Sequence, residues 1–119
     1  MFENNVCRLM GNVVNEIEII DNGKPFGVTR IAIDNGYKDK KETLFINVKL
    51  FGNALSDAQY YDIQKGDRIS IEGRLVENSY VKDDVKIVKY EIIASWVRKI
   101  ARPVAQVKEE KVDGGWYDE

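Results

Sequence analysis

From residue 43 to residue 51 the chain reads Thr-Leu-Phe-Ile-Asn-Val-Lys-Leu-Phe, an alternation without a slip. A β-strand throws successive side chains to opposite faces, so Leu44, Ile46, Val48 and Leu50 form a core stripe. Thr43, Phe45, Asn47, Lys49 and Phe51 then share the other face. A half-buried strand should carry only polar groups there, yet two aromatics stand among polar and basic ones. Aromatic rings beside lysine on an open sheet suit a single-stranded nucleic acid, because bases stack on the rings whatever their sequence while the cation meets phosphate. At about 3.4 Å per residue Phe45 and Phe51 stand roughly 20 Å apart and would hold different nucleotides. The alternative is a sheet covered on both sides, with the two rings in a second small core or a subunit contact.

The same pattern predicts four further strands. Residues 6–14 form the first, interrupted by Gly11, which marks a bulge or bend of the sort a small closed barrel needs. After the turn signal Asp21-Asn22-Gly23-Lys24-Pro25, residues 28–37 form the second, with Ile31 and Ile33 inward and Arg30, Ala32 and Asp34 outward. A bend at Asn35-Gly36 frees Tyr37 from the inward parity it would otherwise have. Residues 38–42 are a charged connection into the alternating third strand. Residues 53–63 have helix composition with Asn53 as N-cap, and Gly66 ends the helix. Residues 68–76 alternate again, with Ile69, Ile71 and Leu75 inward and Gly73 marking a kink. Residues 77–84 read as a long hairpin loop or extended ribbon that keeps Tyr80 out of the core, and residues 85–97 supply the fifth strand.

Five strands with one helix between the third and fourth, and long loops after the first and fourth, make an all-β OB-fold, a Greek-key barrel whose face around strands 2 and 3 takes oligonucleotides. The outward aromatics fall on that face. A chain of 119 residues holds one such domain, expected over 1–101, followed by a short acidic flexible tail over 102–119.

Composition narrows the chemistry. There is no histidine, which removes the usual general base and transition-metal ligand, and a single cysteine cannot complete a zinc site. No spacing singles out a catalytic pair of carboxylates, so the expectation is a binding protein without enzyme activity, metal or cofactor. Cys7 is expected to be a small buried apolar residue. With no basic, apolar leader and no apolar run near the roughly 20 residues that cross a bilayer, a cytoplasmic setting is expected. Of the net charge of −2, residues from Lys108 onward carry −3, which leaves +1 on the rest. Such weak basicity leaves a large share of any nucleic-acid affinity to stacking.

Three motifs together carry a family resemblance: Met10-Gly11-Asn12, the strand ending Val48-Lys49-Leu50-Phe51-Gly52, and Lys65-Gly66-Asp67-Arg68-Ile69-Ser70-Ile71-Glu72-Gly73-Arg74-Leu75. Over about residues 5–100 the chain resembles the bacterial and phage single-stranded DNA-binding proteins of replication. The resemblance implies a sequence-tolerant binder that coats single-stranded DNA in replication, recombination and repair, with base stacking by Tyr37, Phe45, Phe51 and Tyr80. Three of these are commonly tryptophan in the family, so Tyr37, Phe45 and Tyr80 are smaller platforms. Outward parity or loop placement beside them points to Arg30, Lys38, Lys41, Lys49, Arg74 and Lys82 for phosphate contacts. The resemblance also implies a homo-oligomer, tetramer or dimer, although Arg8 stands in the first strand. It further implies recruitment of replication and recombination proteins through the tail, where Trp116, Tyr117, Asp118 and Glu119 resemble the family's acidic tip in kind and not in residues. A cellular source and a phage source, with action in the host cytoplasm, both fit. An OB-fold RNA binder or primosome-type accessory protein is the alternative, and a small OB-fold nuclease a more distant one.

Overall fold

The computed structural model describes residues 4–101. Its strands are β1 (Cys7–Val13), β2 (Glu18–Ile20), β3 (Phe26–Asp34), β4 (Thr43–Leu50), β5 (Arg68–Glu77), β6 (Tyr80–Lys82), β7 (Val85–Ile87) and β8 (Tyr90–Ala101), with helix α1 (Gly52–Tyr60) between β4 and β5. Five of them close a barrel. β1 pairs antiparallel with β5 from Cys7 opposite Gly73 to Asn12 opposite Arg68, and β5 pairs antiparallel with β8. β8 runs parallel to β4, β4 antiparallel to β3, and β3 returns to β1 through Ala32 opposite Asn12 and Ile31 opposite Val13. This is the expected OB-type barrel with its helix between the third and fourth barrel strands.

The interior is built by the inward parity of every barrel strand. Val13, Ile31, Val48, Leu50, Ile69, Ile71, Ile92, Ala94 and Val97 are buried together, and α1 adds Ala54, Leu55 and Ala58 from one face. Two glycines let the strands come close enough to close it. A Cβ on Gly11 would lie 2.6 Å from the Ala32 carbonyl oxygen, where β1 leaves β5 and joins β3. One on Gly73 would lie 2.1 Å from the Ile93 carbonyl oxygen, beside the register shift that bends β5 across β8.

Several boundaries differ from the sequence expectation. Leu44 and Leu75, expected inward, are 43% and 39% exposed, because both lie past the ends of β1: closure stops near Ile31–Ala32, and β1 begins opposite Gly73. The expected strand over 85–97 is two elements. β6 and β7 form a separate ribbon turned by Asp83 and Asp84, both at positive φ as a tight two-residue hairpin requires, and the barrel strand starts at Tyr90. Asn53 lies inside the helix, whose N-cap is the extended Phe51 without a side-chain cap bond. The helix stops at Tyr60 because Asp62 turns left-handed (φ 53°) and the Ile63 N–H donates back to the Ala58 carbonyl at 3.1 Å. Gly66 serves the turn into β5 instead, its N–H donating to the Val13 carbonyl at 2.8 Å. Cys7 is half-buried against the core.

Candidate nucleic-acid interface

The register of β3 against β4 decides which side chains share the outward face. Val28 stands opposite Lys49, Arg30 opposite Asn47, Ala32 opposite Phe45 and Asp34 opposite Thr43. Phe45 is 47% exposed, and the Arg30 guanidinium lies 5.1 Å from its ring centroid. That contact holds the ring against the sheet and leaves a cation at its margin.

At the other end, Phe51 stacks on Phe26, with centroids 4.9 Å apart and planes at 17°. Phe26 lies outside the strand expected over residues 28–37, because β3 begins two residues earlier. The signal was available in the register: continuing the pair Gly27–Leu50 by one step sets Phe26 opposite Phe51. The two rings widen one platform and adjoin a cleft lined by Ile19, Lys24, Pro25 and Leu55.

Tyr37 is 72% exposed in the β3–β4 connection, where it makes a paired bridge with Lys40. Lys38 is left-handed (φ 57°) and places its ammonium 5.2 Å from the Tyr37 ring centroid. Lys41 is exposed in the same connection. Tyr80 opens the β6–β7 ribbon with Lys89 5.7 Å from its ring centroid, and Lys82 lies exposed at the ribbon's turn. The base of the ribbon is tied to the outward face: the Asn78 side-chain amide donates to Glu91 Oε2 at 3.3 Å, and Glu91 Oε1 lies 3.3 Å from Lys49 Nζ. Lys49, expected as a phosphate contact, therefore has an acidic partner within the chain. Arg74 stands half-buried on β5 opposite Ile93.

A second outward tract crosses β1, β5 and β8, where Arg8, Glu72 and Trp96 stand in register. Arg8 reaches Glu72 at 2.7 Å, and Arg98 lies 5.2 Å from the Trp96 ring centroid. Trp116, Tyr117, Asp118 and Glu119 lie outside the described residues. Among the described residues no group of three or more His, Cys, Asp or Glu side chains could hold a metal ion, and no helix is long and apolar enough to cross a membrane.

The model of the single-strand binding protein family matches residues 4–100. The chain is 32% identical over 103 residues to a single-stranded DNA-binding protein of Aquifex aeolicus, covering 82% of this chain and 68% of that one. It is 33% identical over 79 residues to one of Wolinella succinogenes, covering 60% of this chain and 48% of the relative, about half its length. Among solved structures, the Plasmodium falciparum SSB in complex with ssDNA superposes with a TM-score of 0.68 at 20% identity, over 84% of this chain and 97% of that one. At that identity the likeness is one of fold.

Proposed function

We propose, from the premise that this chain belongs to the single-strand binding protein family, that it binds single-stranded DNA without catalysis and with little regard to sequence. The observation that carries this is the outward face of β3 and β4: exposed rings at both ends, Phe45 with the Arg30 cation at its margin, and Phe51 stacked on the half-buried Phe26. Rings separated by roughly 20 Å take different, non-adjacent unstacked bases of a splayed strand, which a duplex does not offer. Tyr37 and Tyr80, on the two connections that leave this face, extend the platform. Arg30, Lys38, Lys41, Arg74 and Lys82 meet phosphates along its margins. Coating of single strands in replication, recombination and repair, in the cytoplasm of a cell or of a phage's host, follows from this activity. Competition of a labelled oligo(dT) by matched DNA, RNA and duplex is the test. The DNA single strand should compete best and the duplex least; RNA competing as well as or better than DNA favours an RNA-binding role.

The protein also self-associates as a dimer or tetramer, and its acidic end recruits replication or recombination proteins. The support is the family resemblance, together with Trp116 and Tyr117 set between Asp113 and the pair Asp118–Glu119. A chain ending at Pro103 should keep its oligomer mass and its DNA binding while losing those proteins. Dissociation of the oligomer would show that the end fastens subunits instead.

A further inference from the structure

A carboxylate sits in the middle of the face just assigned to DNA. Glu91 has outward parity on β8, and the parallel pairing of β8 with β4 sets it opposite Asn47, next to Lys49. Although it points outward it is 7% exposed. Oε2 accepts from Asn78 at the ribbon base, while Oε1 is buried without an aligned hydrogen bond and faces Lys49 Nζ at 3.3 Å. The Lys49 side chain is itself only 29% exposed.

We propose that Glu91 withholds Lys49 from the DNA backbone, so that the Lys49 side of the face is electrically neutral and receives bases while phosphates are met by Arg30 and by the cations of the connections. This rests on the proposed function and names the residue that limits how many phosphates the face neutralises. The reason is a comparison of two ion pairs. Moving the Lys49 ammonium from Glu91 to a phosphate would leave a buried carboxylate without its counter-charge, which is far costlier than losing an exposed pair. The phosphate pair gained in return would be solvated and screened by salt. The exchange is therefore unfavourable, and Lys49 stays with Glu91. What it presents to a bound strand is the aliphatic stem lying between Asn47 and Phe51, a surface against which a base can pack.

Poly(dT) titrations across a salt series with the parent, Glu91→Gln and the double variant Lys49→Met/Glu91→Gln test this. Each phosphate neutralised by a single-strand binder steepens the log–log salt slope by about 0.7, which corresponds to about eightfold in affinity between 1 M and 50 mM salt. Glu91→Gln should free one cation, steepen the slope by about 0.7 and bind about eightfold tighter than the parent at 50 mM, converging with it near 1 M. The double variant should return to the parent's slope. It also removes both members of the pair, so it tests the point even if the single variant folds poorly. A Glu91→Gln protein that folds and keeps the parent's slope overturns the proposal. So does a double variant whose slope is shallower than the parent's by about 0.7, since Lys49 would then already be on a phosphate. A parent that fails to bind poly(dT) at all overturns the proposed function itself, and this inference with it.

Discussion

Phe45→Ala and Phe51→Ala combined in one chain weaken poly(dT) binding by about 2–6 kcal/mol, since each base stack on an aromatic is worth about 1–3 kcal/mol and well-separated sites add. The separation is set by the strand: the rings lie six residues apart on one face. The substitutions differ in their structural consequences. Phe45 is half exposed and touches Arg30 at the surface, so its loss acts mainly on binding. Phe51 is stacked on Phe26, so its loss removes the partner of a second ring and some packing as well. A urea midpoint measured beside the titration separates the two effects. If the double variant folds as the parent does and binds poly(dT) equally well, the rings are not the platform.

Gly73→Ala destabilises the barrel by about 3 kcal/mol or more, the upper end of what inserting atoms into a packed interior costs. A methyl group there would meet the backbone of β8, the Ile93 carbonyl oxygen and the Ala94 Cα, and a strand backbone cannot turn aside as a flexible side chain can. Relief requires β5 and β8 to separate at the register shift that lets β5 bend. A shift of the urea midpoint reads the effect. A variant with the parent's midpoint would show that the strands do not approach so closely in solution.

The barrel was legible because it is made by parity. Four of its five strands carry a buried or half-buried stripe at every second position, β8 changes parity once between Ala94 and Val97, and the turn residues at Asp21–Pro25 and Lys65–Asp67 punctuate them, so the order of the barrel elements could be read before any pairing was known. β2 was not legible for the same reason: all three of its residues are exposed, so no stripe betrays it. The division of residues 85–97 was hidden by an apolar content that runs through the ribbon into β8. The helix end was misplaced because Asp62 took the left-handed position ordinarily given to glycine.

The site divides along the same line. Tyr37, Phe45, Phe51 and Tyr80 declare themselves singly, as aromatics on an outward parity or in a polar connection, and the structure leaves all four exposed. Phe26 required the β3–β4 register. The Lys49–Glu91 pair required more, because it joins residues 42 positions apart through a parallel pairing that no local pattern encodes. Parity shows that a lysine faces outward, and the folded chain decides what stands beside it.

The measurement that bears most directly on a stacking face flanked by cations is the titration of a labelled oligo(dT) with the unaltered protein at two salt concentrations, its duplex titrated in parallel. The expected result is saturable binding to the single strand that weakens with salt by about 0.7 log units per tenfold salt for each phosphate met, persists at high salt through stacking, and exceeds duplex binding under both conditions. Equal affinity for single strand and duplex, or binding that vanishes entirely at the higher salt, would contradict it.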